Sequence, residues 1–187
     1  MPSAPASSSA PLPGVTLVLG GARSGKSRYA EGLIGERGPS LYLATAEAGD
    51  DEMAERIRLH RARRGAGWET VEEPLDLPQA ISRHARPQRP MLVDCLTLWL
   101  GNLMGAGRDV DAAIQALLAV LAAAKGPVVL VSNEVGLGIV PATPLGRAFR
   151  DHAGRLNQAV AAGADRVVFL AAGLPLILKD TVKGYIP

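Results

Sequence analysis

Residues 15–27 read VTLVLGGARSGKS, and this stretch decides the fold. Its first five residues, VTLVL, are apolar and mostly β-branched and lie between Gly14 and Gly20, which predicts a short buried strand. Gly20-Gly21-Ala22-Arg23-Ser24-Gly25-Lys26-Ser27 then fits the pattern G-x-x-x-x-G-K-[ST]. Glycines let the backbone curl until successive N–H groups face one anion, and the helix predicted over residues 28–35 adds the positive end of its dipole. Lys26 is spaced to reach the β- and γ-phosphates of a nucleoside triphosphate, and the Ser27 hydroxyl to ligate Mg2+. A glycine turn with a surface lysine is the ordinary alternative. The motif sits directly between an apolar strand and a helix, and that context favours a phosphate-binding loop.

Outward from this loop the pattern repeats. Further strands are predicted at residues 41–45 (LYLAT), 91–94 (MLVD), 128–132 (VVLVS) and 166–171 (RVVFLA). Helices are predicted over 50–64, 96–104, 110–125 and 144–162. Strands alternating with helices imply an α/β domain whose mainly parallel sheet is covered on both faces. With 187 residues, no internal repeat and no dividing linker, the chain reads as one domain over 14–180. The Ser/Ala/Pro-rich leader at 1–13 is predicted to be disordered, and 181–187 forms a short tail. The leader lacks the basic start and apolar centre of a secretory signal. No apolar run is long enough for a membrane span, and the single cysteine, Cys95, allows no internal disulfide. These features predict a cytoplasmic protein. The net charge is +2, too small to argue for nucleic acid, although sixteen of the 20 basic residues are Arg. Guanidinium groups suit bidentate phosphate binding, and a GC-rich genome accounts for the bias equally well.

Three further groups carry candidate chemistry. Asp94 ends an apolar strand, where its carboxylate can hold a Mg2+ shell or cap the next helix. Residues 50–64 read DDEMAERIRLHRARR, with Met53 and Ile57 on an apolar stripe that His60 continues beside Arg56, Arg63 and Arg64. One reading is a solvated basic face with a histidine at its rim. The other is a neutral imidazole nucleophile toward phosphorus, with arginines steadying the developing charge. Asn133 and Glu134 follow a strand at the ligand-binding edge of the sheet. Their polar groups can accept a substrate proton, orient a Mg2+-bound water, or simply shape the turn before Gly136. His84, in a Pro/Arg-rich loop, and His152, in a late helix, have no metal-ligand spacing and read as structural.

Residues 133–141 (NEVGLGIVP) and 147–157 (RAFRDHAGRLN) complete the pattern with the loop and the basic helix. Together they resemble the adenosylcobinamide kinase / adenosylcobinamide-phosphate guanylyltransferase family, over about residues 16–179. The resemblance implies a single-domain P-loop NTPase-like (RecA-like) fold and two reactions. A nucleoside triphosphate, ATP or GTP, phosphorylates the aminopropanol hydroxyl of adenosylcobinamide. GTP then gives GMP to a histidine, releasing pyrophosphate, and the GMP passes to the cobinamide phosphate to form adenosylcobinamide-GDP. By position the guanylylated histidine is His60, with Leu59 beside it where family members can carry a second histidine. The resemblance further implies nucleotide contacts at Gly20–Ser27, at Thr45, Ala46 and Glu47, at Arg61, Ala62, Arg63 and Arg64, and at the acidic Glu72 and Asp94. It also implies a homotrimer. A different P-loop small-molecule kinase or NTPase, without a covalent intermediate, is the main rival. A non-catalytic nucleotide switch is weakened by the lack of an N-K-x-D guanine motif. Nucleic-acid binding is weakened by the lack of stacking aromatics.

Overall fold

The structure is a computed structural model that describes residues 12–35, 38–46 and 67–181. The predicted leading strand is β1 (Val15–Gly20), with every residue buried, and it feeds through the glycine loop into α1 (Lys26–Ile34). Then follow β2 (Ser40–Ala44), β3 (Trp68–Glu72), α2 (Leu77–His84), β4 (Met91–Asp94), α3 (Leu96–Gly105) and α4 (Val110–Ala122). The chain continues with β5 (Val128–Asn133), α5 (Pro144–Gly163), β6 (Arg166–Ala171) and β7 (Leu174–Asp180). The seven strands form one sheet in the order β3-β2-β4-β5-β1-β6-β7, parallel throughout except for the antiparallel β6–β7 hairpin. The carboxylate strand β4 is therefore not a neighbour of β1; β5 lies between them.

The sheet sorts its side chains by the period of two. Leu17, Leu41, Leu43, Met91 and Leu130 face a core shared with Ile81 of α2, Trp99 of α3, Leu117 of α4 and Leu156 of α5. Val18, Tyr42, Leu92, Val129, Val131 and Val168 face the other way, onto Ala30 and Ile34 of α1. Both faces are covered, which is why the central strands read as unbroken apolar runs.

The structure corrects several expectations. Among the described residues it has seven strands where five were predicted. β3 lies at the sheet margin with only Trp68 and Val71 half-buried and the rest exposed, so it carries no apolar run. β7 is largely exposed and contains Pro175, tolerable only on an edge. It is held to the body by Arg166, which is 3% exposed and donates to Asp180 Oδ2 at 3.0 and 3.1 Å. Lys179 adds bonds to the carbonyls of Ala161 and Ala162 at the end of α5. His84 is not in a loop but closes α2, and Thr45 lies just beyond β2 instead of ending it. The basic helix at 50–64 falls outside the described residues, as do residues 1–11 of the leader and 182–187 of the tail.

Trp99 is fully buried, and its indole Nε1 donates to Leu75 O at 2.8 Å, tying α3 to the segment that enters α2. Trp99→Ala should cost about 3–5 kcal/mol through the cavity it leaves. Trp99→Phe should cost about 1–3 kcal/mol, chiefly by leaving that carbonyl without its donor. Midpoints of denaturant unfolding will order the three proteins.

Candidate active site

β1 delivers its last residue, Gly20, into a space with no room for a side chain. A Cβ there would meet Ser24 Oγ at 2.5 Å and Leu170 O at 2.7 Å. The loop then turns through Arg23 at φ 57° and Gly25 at φ 93°, left-handed positions that bend the amides inward. Gly25 is also the residue before α1, and no side chain caps that helix start. Its first-turn N–H groups are thus open to an anion at the positive end of the dipole. Ser24 Oγ points the same way chemically: it is buried and has no hydrogen-bond partner among the described residues. A buried orphan hydroxyl beside uncapped amides is what a phosphate oxygen would satisfy.

Lys26 is half-buried, its Nζ donating to Gly21 O at 3.0 Å across the loop. Burial holds its ammonium below the ordinary lysine pKa, partly opposed by Cys95 and Asp94. The influence of Asp94 places the end of β4 within electrostatic reach of the loop, although β5 separates the strands. Asp94 Oδ2 accepts from Tyr42 Oη at 3.0 Å, which aims the carboxylate. Ser27 is half-buried in the first turn of α1. One hydroxyl and one carboxylate match how Mg2+ is held beside phosphates, with water and substrate supplying the remaining oxygens. Among the described residues no cluster of three or more His, Cys, Asp or Glu could hold a metal alone.

The flanks of the loop are fixed from both neighbouring strands. Glu134 N–H donates to Gly20 O at 3.1 Å, and Gly173 N–H, in the β6–β7 turn, donates to Ser24 O at 2.9 Å. The Glu134 carboxylate accepts from Gly136 N–H at 2.6 Å, the turn-shaping alternative read from the sequence. Beneath Asn133 lies a polar network that sequence reasoning missed. Thr97 Oγ1 accepts from Asn133 N–H at 2.7 Å, and Ser132 Oγ donates to Asn157 Oδ1 at 2.7 Å. Asn157 Nδ2 returns a bond to Asn133 O at 3.2 Å. Asn157 ends the 147–157 motif, and its presence there was the available signal. Arg147, which opens that motif, donates to Pro141 O and Ala142 O at 3.0 and 2.9 Å.

The remaining candidates lie along the same sheet edge at increasing distance. Thr45 is fully buried, donating to Cys95 O at 2.7 Å and accepting from Cys95 N–H at 2.8 Å, so it braces the turn after Asp94. Ala46 follows it, half-buried. Glu72 ends β3 opposite Ala44, four strands along from β1. At about 4.8 Å per strand that is roughly 19 Å from the loop. The structure therefore brings Gly20–Ser27 and Asp94 together and sets Glu72 apart. Glu47, His60, Arg61, Ala62, Arg63 and Arg64 lie outside the described residues. His152 sits 2.9 Å from an Arg155 nitrogen and 4.0 Å from Asp111, and His84 contacts Arg89 at 3.4 Å.

A mainly parallel sheet whose interior strand β1 runs through this loop into an uncapped helix defines a P-loop NTPase-like protein. Residues 16–178 match the family described as cobinamide kinase / cobinamide phosphate guanyltransferase, so the chain belongs to that family. A bifunctional adenosylcobalamin biosynthesis protein (CobP) of Pseudomonas aeruginosa is 52% identical over 166 residues, covering 87% of this chain and 96% of that one. The bifunctional adenosylcobalamin biosynthesis proteins (CobU) of Escherichia coli and Salmonella typhimurium are 44% and 43% identical, with 87% of this chain and 98% of each covered. A solved structure from Pyrococcus horikoshii superposes with a TM-score of 0.56 at 10% identity, over 92% of this chain and 89% of that one, a likeness of fold alone.

Cys95 lies between Asp94 and α3, almost wholly buried, and burial together with the Asp94 charge pushes its thiol up to about 11. About one molecule in a thousand would carry the thiolate at pH 8. Iodoacetamide at that pH should label the folded chain very slowly and the denatured chain within minutes. Raising the pH through 11 should accelerate labelling for as long as the fold persists, as mass spectrometry over time will show.

Proposed function

We propose that this chain carries both activities of its family on its adenosylcobinamide substrates. The loop geometry carries the reading: an uncapped helix start, an orphan Ser24 hydroxyl and a half-buried Lys26 converge on the place a triphosphate tail would fill. In the first reaction the acceptor hydroxyl of adenosylcobinamide attacks the γ-phosphorus of ATP or GTP. The bond from that phosphorus to the bridging oxygen breaks, the nucleoside diphosphate leaves with the electron pair, and the hydroxyl proton is released to water. Lys26 and the loop amides hold the β- and γ-phosphate oxygens and meet the charge that gathers there. Ser27 and Asp94 would hold Mg2+, which when bound neutralises phosphate charge.

In the second reaction we assign the nucleophile to His60. A ring nitrogen of its neutral imidazole attacks the α-phosphorus of GTP, and pyrophosphate departs with the electrons of the broken P–O bond. An oxygen of the cobinamide phosphate then attacks the same phosphorus, the P–N bond breaks, and the imidazole returns to its starting state. Arg61, Arg63 and Arg64 follow His60 directly in sequence, which supports this reading, since guanidinium groups both stabilise phosphoryl oxygens and disfavour the imidazolium. Thr45, Ala46, Glu47, Ala62 and Glu72 are assigned to the GTP of this second step. Glu72 stands far along the edge from the loop, consistent with the nucleotide occupying different stretches of the edge in the two reactions. The same reading makes the chain a cytoplasmic homo-oligomer, a trimer by family resemblance. Among the described residues no helix is long and apolar enough to cross a membrane.

GTP labelled at the α-phosphate should leave acid-labile, base-stable label on the unaltered chain, and His60→Ala should take up none while still phosphorylating adenosylcobinamide. Lys26→Ala should lower kcat/KM of that phosphorylation roughly 10- to 150-fold, the loss of one charge-assisted bond. An unaltered chain that takes up no label would overturn the guanylyltransferase half of the assignment.

A further inference from the structure

The segment that leaves β5 beside the phosphate loop has an unusual surface. Leu137, Ile139 and Val140 are 82%, 97% and 61% exposed, and Leu145 on the first turn of α5 is 69% exposed. Water contact on this scale by neighbouring large apolar side chains marks an interaction surface. The segment is not a loose excursion. It is tied at its start by Glu134 N–H to Gly20 O and by the Glu134 carboxylate to Gly136 N–H. At its end Arg147 holds the carbonyls of Pro141 and Ala142, and Thr143 accepts from Gly146 N–H at 3.1 Å to cap α5. These bonds fix where the apolar stretch leaves β5, next to the glycine loop, and where it enters α5.

Position and charge identify the occupant. The segment springs from the carboxyl end of β5, immediate neighbour of β1, on the edge where ligands of open α/β sheets bind. A phosphoryl acceptor has to occupy this edge, within bonding distance of the terminal phosphate. Residues 135–146 carry no charged side chain, whereas the adjoining loop carries Arg23, Lys26 and Arg28. The edge is thus divided into a cationic half suited to a polyphosphate and an uncharged, apolar half. A corrinoid acceptor is a broad macrocycle with a large apolar surface and uncharged amide arms, and it matches the second half. We infer that Leu137, Ile139 and Val140 form the platform on which the corrin macrocycle rests while its hydroxyl arm reaches over Glu134 toward the phosphate loop. The inference rests on the functional reading above and adds acceptor-binding residues to it.

The test is Leu137→Ser/Ile139→Ser/Val140→Ser in the full chain, with three readouts. Label uptake from α-labelled GTP, which needs no corrinoid, should match the unaltered chain and certifies the fold. The sedimentation mass should also be unchanged. KM for adenosylcobinamide in the phosphorylation step should rise at least 10-fold, with KM for ATP within two-fold. As an independent measurement, Ile139→Trp should give a tryptophan whose emission is quenched by adenosylcobinamide beyond the quenching of Trp68 and Trp99 in the unaltered chain. That result decides the matter if the triple variant does not fold. An adenosylcobinamide KM within two-fold, or no added quenching, overturns the platform alone. A drop in sedimentation mass assigns the face to a second copy of the chain and likewise overturns it. An unaltered chain that neither takes label nor phosphorylates adenosylcobinamide overturns the functional reading, and the platform with it.

Discussion

Everything near the site depends on the close approach of backbone at Gly20. Three parallel strands converge there, and the space that a methyl group would need is already taken by Ser24 Oγ and Leu170 O. This crowding lets the next residues curl back on themselves, so that amides, not side chains, line the space ahead of α1. The neighbouring strands then fasten the loop through Glu134 and Gly173. Amides fixed before any anion arrives need little reorganisation when it does, and the helix start they belong to carries favourable charge already.

Around that junction the fold divides its labour between buried and exposed polar groups. Thr97, Ser132 and Asn157 are buried and mutually bonded, and they set the position of Asn133 without reaching solvent. Thr45 does the same for the turn at Cys95, and Asn102 in turn donates to Thr45 O at 2.8 Å. Satisfied networks of this kind cost little and hold geometry closely, whereas any member left unpaired would destabilise its surroundings. The groups able to meet a substrate, namely Lys26, Ser27 and Asp94, stay half-buried above them.

The phosphate loop was legible in sequence because all its parts are contiguous: strand, glycines, lysine and helix follow within thirteen residues. Asp94 was legible because a carboxylate ending an apolar strand is a local signal. β3 and β7 were not. WETVE packs on only one side of a margin, and LPLILKD is an exposed edge whose pairing with β6 is a tertiary fact. The separation of Glu72 from the loop follows from strand order, which no local pattern records. The bonds of Asn157 to β5 span 24 and 25 residues of chain, so the residue could be noticed within a motif but not given a task.

The β6–β7 turn has a mechanical consequence. Gly173 grips Ser24 from above, and the hairpin it belongs to is anchored far below by the Arg166–Asp180 pair. The hairpin is therefore fixed at both ends, against the anion cradle at Gly173 and across β6–β7 at Asp180. The Ser24 carbonyl is thereby held by a strand pair whose far end is itself locked in place. The last strand thus supports the cradle through main chain at Gly173 and not through a side chain at the site.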